Sequence, residues 1–292
     1  LPRQAISIPS MALLSILILK KGANLGVKTL YVVVAILAFA LIMFFTGSTE
    51  YAETARAGIT EKPVRNYDEF FMIFAIIFPA FTGMTAGVGL SGDLKNPEKS
   101  IPKGTIIATV LGFIIYIFIA LKLVHSAPPG KLIDVQLIMS EIATGGHIII
   151  PLGLAASTIS SALGSVMVAP RTLQALGKDA ALPGVKLNRF LSKGEKETNE
   201  PFNASLVTVL IAFIFVAVGS VNAVATVISM FFMVTYGSLC LISFLYHFGA
   251  PPSYRPTFKS KWILSLIGFV FSVYFMFRID AVYALIAIVL MI

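Results

Sequence analysis

The 292 residues are 57% hydrophobic and only 12% charged, with a mean hydropathy of +0.90, where a soluble globular domain carries about 25% charged residues. This deficit excludes an ordinary soluble domain and leaves long stretches that can enter hydrocarbon without burying an ion. The net charge of +8 lies in short Lys and Arg runs between apolar segments, which fits loops facing anionic lipid and argues against a nucleic-acid partner.

Runs close to the roughly 20 apolar residues that span a bilayer occur at 29–47, 70–90, 104–124, 148–169, 204–220, 223–246 and 262–278. A shorter run at 5–19 precedes them, and 280–292 reads as a span cut by the chain end. No signal peptide is expected, and both ends read as cut from a longer chain. The predicted fold is all-α, a polytopic transmembrane helix bundle in a single domain over 1–292. Segment 132–144 (LIDVQLIMSEIAT) is too polar to span and reads as a short interfacial or loop helix. If the segments alternate, fifteen of the 22 Lys and Arg fall on one side and seven on the other. The positive-inside rule makes the richer side cytoplasmic, with Leu1 and the 48–69 loop outside and 171–201 inside.

The third span, FFMIFAIIFPAFTGMTAGVGLSGDL from Phe70 to Leu94, departs from an ordinary helix. Pro79 removes a backbone donor and clashes with the preceding turn. Gly83, Gly87, Gly89 and Gly92 follow, each weakening the helix. A simple kink is one reading. Such a density of breakers favours a helix broken near the bilayer midplane, which is tolerated only where it lines a cavity or is buried in protein. Secondary transporters bind substrate at such breaks.

Phe74 to Thr105 (FAIIFPAFTGMTAGVGLSGDLKNPEKSIPKGT) resembles the sixth helix and following loop of the cation–chloride cotransporters, within the amino acid–polyamine–cation superfamily. Ser157 to Asp179 (STISSALGSVMVAPRTLQALGKD) is similar to the eighth helix of that family. NEPFNA (Asn199 to Ala204) and FFMVTYGSLCLISF (Phe231 to Phe244) are similar to the opening of its ninth helix and to its tenth. The resemblance aligns the chain with family helices four to about twelve and implies an inverted-repeat, leucine-transporter-like fold in which only the second repeat is complete. Val88-Gly89-Leu90 departs from the family's pattern before S-G-D-L, and Met84 and Thr85 replace its usual aliphatic pair. The short outer loop between Val124 and Ile148 lacks the cysteines and glycosylation sites of the family's animal members, which suggests a prokaryotic relative.

The spans 70–92, 148–170 and 223–246 contain no Asp, Glu, Lys or Arg. A site built from hydroxyls, carbonyls and amides suits alkali cations and halide, each offsetting the other's charge. Where a broken helix restarts, its first amides lack intrahelical partners and the dipole places about half a positive charge there. The resemblance implies chloride at the amides of Gly83, Met84 and Thr85, with Tyr236 from the family's tenth helix. It implies potassium at the Pro79 carbonyl and the Thr82 hydroxyl. Ser160 and Ser161 match sodium ligands of the sodium-coupled branch, and Ser157 is placed with them. The same serines, with Gly164 and Ser165, also fit a small-residue packing face.

The resemblance therefore implies electroneutral symport of chloride with sodium and/or potassium by alternating access in a cell membrane. An amino-acid or amine permease of the same superfamily is the alternative, and a non-transporting membrane subunit a second. Expected partners are Cl−, Na+, K+ and the lipid bilayer, and a homodimer of the full-length parent is compatible with them. No cofactor or transition metal is expected: Cys240 is the lone cysteine, and no Ser/His/Asp set, Cys/His set, phosphate loop or metal-ligand spacing supports an enzyme.

Overall fold

The computed structural model describes residues 4–21, 24–54, 67–83, 88, 91, 94–195, 200–249 and 261–291, and no strand occurs among them. The helices are, in chain order, α1 Gln4–Lys21, α2 Asn24–Thr46, α3 Glu50–Thr54, α4 Tyr67–Ile77 continued by a 3-10 turn Phe78–Phe81, α5 Pro97–Ser126, α6 Pro129–Asp134, α7 Ile138–Ile142, α8 Gly146–Lys178, α9 Val185–Leu191, α10 Phe202–Val218, α11 Val221–Gly249, α12 Trp262–Ile279 and α13 Ala281–Met291. Among the described residues, four stretches are long and apolar enough to cross a membrane: Pro97–Ser126, Gly146–Lys178, Val224–Gly249 and Trp262–Ile279. Large apolar side chains such as Ile107, Phe113 and Phe118 on α5 lie exposed, as lipid-facing positions require.

The chain forms two compact units, one containing 4–54 and 111–219, the other 67–83, 94–110 and 220–291. In the first, α2 and α8 pack together. Small residues set their approach, since a Cβ on Gly153 would meet the Ala40 Cβ at 2.9 Å. Without a hydrophobic drive between helices in lipid, such close packing is a main source of association. At the end of α2, the fully buried Phe44 packs with Ala127, Ile138, Ile142 and Ile150. The last carbonyls of a helix lack intrahelical partners. Here Met43 O accepts from the Thr144 amide at 3.0 Å, and Gly47 O accepts from Lys122 Nζ at 2.6 Å. The 132–144 segment, expected as one short helix, is divided between α6 and α7. Val135 is extended between them, and the Leu137 carbonyl accepts both the amide (2.8 Å) and hydroxyl (2.7 Å) of Ser140. A local side-chain bond of this kind competes with a continuous helix.

The far end of α8 closes in a Schellman turn. Ala181 N–H donates to Leu176 O at 3.0 Å and Ala180 N–H to Gly177 O at 3.3 Å. Ala180 there adopts φ +52°, a left-handed conformation that costs an L-residue about 1–2 kcal/mol and that usually falls to glycine. Ala180→Gly is therefore expected to raise the thermal midpoint of the purified protein by roughly 2 °C; an unchanged or lower midpoint would mean that the turn carries no such strain. Beyond it, the buried Asn188 fastens the loop, accepting from the Leu182 amide (3.2 Å) and donating to the Leu182 (2.6 Å) and Gly184 (3.1 Å) carbonyls.

In the second unit, α11 and α12 pack through small residues. A Cβ on Gly237 would meet Ser272 Cβ at 3.1 Å, a Cβ on Gly268 would meet Cys240 Sγ at 2.8 Å, and the Ser243 and Ser265 hydroxyls lie 3.0 Å apart. Met230, Met233, Val234, Met276, Ala284 and Ala287 form the core, against which Phe74, Phe78 and Phe275 pack. Asp280 caps α13, its Oδ1 accepting from the amides of Val282 (2.9 Å) and Tyr283 (3.0 Å). This polar turn separates two apolar helices and ends the α12 span at Ile279.

Candidate functional site at the interrupted helix

The site begins with a missing proton. In an α-helix the Ala75 carbonyl would accept from the amide of residue 79, but residue 79 is proline and has none. A carbonyl left bare in a membrane interior costs several kcal/mol, of order. The fully buried Ser229 hydroxyl of α11 supplies the donor, reaching Ala75 O at 2.6 Å. The chain then tightens into the 3-10 turn Phe78–Phe81 and stops: Thr82 is extended (φ −97°, ψ −179°) and Gly83 takes φ +105°. Only glycine adopts the latter readily. The expected interruption thus falls at Thr82–Gly83. Met84, Thr85 and the expected helix restart lie outside the described residues.

Four of the residues singled out from sequence come together here. The Pro79 carbonyl accepts from the Thr82 hydroxyl at 2.6 Å and from the Thr82 amide at 3.2 Å. One residue on, the Gly83 amide donates to Tyr236 Oη at 3.2 Å, across 153 positions of sequence. The Tyr236 ring is held by Phe232, stacked at 5.7 Å, and by Phe78, edge-on at 6.4 Å. A carbonyl and a hydroxyl oxygen form an electron-rich pair suited to a cation. The amide of the next residue, Gly83, and the phenol of Tyr236 form a donor pair suited to an anion. Pro79, Thr82 and Tyr236 are half-buried, while Gly83 is exposed.

Ser157, Ser160 and Ser161 belong to α8 in the other unit. Ser157 and Ser160 are half-buried and Ser161 is exposed. Ser157 lines an apolar cavity of about 240 Å³ together with Leu37, Ala40, Gly153 and Leu154. Among the described residues, no group of three or more His, Cys, Asp or Glu is placed to hold a metal ion. The residue that sequence reasoning missed is Ser229. Its signal was indirect: Pro79 strips the Ala75 carbonyl of its partner, so a hydroxyl had to come from elsewhere.

Four apolar helices of spanning length, with a shorter apolar helix ended by proline and glycine at a small polar cluster, define a helical membrane protein. The chain belongs to the amino acid permease family, which it matches over residues 12–292. It is 35% identical over 80% of its length to cation-chloride cotransporter 1 of Oryza sativa subsp. japonica. It is 34% identical over 75% to potassium/chloride cotransporter 3 of Caenorhabditis elegans, and 32% identical over 74% to solute carrier family 12 member 2 of Mus musculus. The family resemblance drawn from the motifs is borne out by these matches. The chain spans 23%, 21% and 21% of those relatives, respectively.

Proposed function

We propose that the protein of which this chain forms part is a secondary active symporter in the cell membrane, moving chloride together with sodium and/or potassium by alternating access. The observation that carries this reading is the Gly83–Tyr236 hydrogen bond beside the Pro79–Thr82 pair. In this arrangement the candidate ligands hold one another. Chloride would take the Gly83 proton from the phenolic oxygen, with the phenol turned to donate to the anion, and Met84 and Thr85 would add their amides. Potassium would draw on the Pro79 carbonyl and the Thr82 hydroxyl once the hydroxyl proton turns away. Bringing both ions to one neutral cluster offsets their charges without a titratable group. No cofactor is needed, the only partners required are the ions and the bilayer, and the protein is a carrier rather than an enzyme.

The test is isotopic chloride or rubidium flux in vesicles containing the complete protein, with gluconate replacing chloride. Cation uptake that runs equally well in gluconate would sink the chloride reading. The family's description as amino acid permease supports a second reading on the same fold, in which the amides at the interruption meet a substrate carboxylate. Flux of labelled amino acids without chloride dependence would establish it.

Sodium is assigned to Ser157, Ser160 and Ser161. Ser160→Ala combined with Ser161→Ala is expected to raise the sodium concentration for half-maximal uptake roughly tenfold, about 1.4 kcal/mol. Ser161 is exposed and Ser160 half-buried, so the helix should keep its packing. Unchanged sodium dependence at normal expression would return these serines to a packing role.

A further inference from the structure

Two of the hydrogen bonds that join α4 and its continuation to α11 differ in what can reach them. The Gly83 amide that donates to Tyr236 Oη belongs to an exposed residue, so an arriving anion can claim it. Ser229 and the Ala75 it serves are 0% and 2% exposed, so neither ion nor water competes for their 2.6 Å bond. Around that bond the contact between the helices is apolar. Phe74 and Phe78 pack against a cluster that includes Met230, Met233 and Val234. Such contacts have no preferred direction, and methionine is unbranched and adapts to its neighbours. They hold the helices together without fixing how far one slides or turns against the other. A short hydrogen bond is directional and does fix it.

We propose that Ser229 is a positioning residue for ion binding, holding α4 in register on α11 while the direct Gly83–Tyr236 bond is given up to the anion. The inference rests on the chloride reading above. With the register kept, the Gly83 amide and the Tyr236 phenol stay opposite each other and close on the ion together. Pro79 lies one helical turn beyond Ala75, so its carbonyl and the Thr82 hydroxyl bonded to it are placed by the same tie. Ser229 itself touches neither ion. Because one tie places both ligand pairs, losing the hydroxyl weakens the anion and the cation together.

The test is isotopic chloride and rubidium uptake by vesicles containing the complete protein, each ion titrated with the other saturating. Ser229→Ala is expected to raise both half-saturation concentrations roughly three- to tenfold, with the maximal rate per folded protein changed less. Ser229→Cys, similar in volume but a weaker donor, should fall between the two. A hydroxyl that merely satisfied the Ala75 carbonyl would become dispensable in a Pro79→Ala background, where residue 79 regains its amide. The positioning role instead requires that adding Ser229→Ala to Pro79→Ala still raises both concentrations several-fold, as a double-mutant cycle would report. A shift for one ion alone, or no further shift in the Pro79→Ala background, would overturn the proposal. If Ser229→Ala does not fold, parental values in Ser229→Cys suffice to overturn it. Parental values in the Ser229 variants, where parental uptake needs chloride, defeat the positioning role and leave the chloride reading standing. Parental cation uptake that runs equally well in gluconate defeats both.

Discussion

Replacing Tyr236 by phenylalanine is expected to raise the chloride concentration for half-maximal uptake roughly ten- to a hundredfold, the equivalent of losing one hydrogen bond to a charged partner, about 1.5–3 kcal/mol. The substitution removes the phenolic oxygen that accepts from the Gly83 amide and little else. The ring contacts with Phe232 and Phe78 remain, and the Ser229–Ala75 bond keeps α4 docked on α11. A Tyr236→Phe protein with unaltered chloride dependence would remove the phenol from the anion's shell. Gly83→Pro acts on the other partner. It deletes the amide and demands φ near −65° where the chain has +105°, so chloride-dependent uptake should vanish. Gly83→Ala separates the two effects, since a Cβ there meets nothing within 4 Å. It keeps the amide and adds only conformational strain, and should leave partial activity.

Gly47→Ala is expected to be the most damaging single-methyl change in the first unit. A Cβ on Gly47 would collide with the Ile142 carbonyl oxygen and meet Ala143 Cα at 2.9 Å. Both are backbone atoms, which cannot swing aside as a side chain can. Overpacking ordinarily costs about 1–3 kcal/mol, and this site stands at or above that range because the Gly47 carbonyl also holds Lys122 Nζ. The purified variant should melt several degrees below the parent or fail to give a monodisperse peak. Gly112→Ala in α5 is the control: a Cβ there meets nothing within 4 Å, and alanine improves helix propensity by roughly 0.5–1 kcal/mol. Equal melting of the two variants would mean that the α6–α7 segment does not seat against the end of α2.

The class of fold was legible because charge depletion and runs of spanning length are local properties. Pro79 and Gly83 likewise announced the interruption, as each acts on its own backbone. What the chain did not disclose was how the damage is repaired. Ser229 lies 154 positions from Ala75, and Tyr236 lies 153 from Gly83. Nothing in the local pattern around either distinguishes it from other hydroxyls in apolar helices. Tyr236 was reached only through family resemblance, and Ser229 was not reached at all. The 132–144 segment failed for a different reason. Its apolar residues suit one continuous helix, but the Ser140 hydroxyl competes for the Leu137 carbonyl and the backbone extends at Val135. Gln136, Leu137 and Met139 face the apolar cavity beside Ser157, a tertiary placement that composition does not encode.

Ser229 and Tyr236 stand seven residues apart on α11, about two helical turns and thus roughly 10 Å along one face. The first grips α4 before its interruption, through Ala75, and the second grips the chain at the break itself, through Gly83. Together they act as a splint along the end of α4. The break at Thr82–Gly83 therefore lacks the freedom of a loose hinge. Any motion that parts the end of α4 from α11 must snap both ties, whereas one that turns the two helices as a single piece snaps neither.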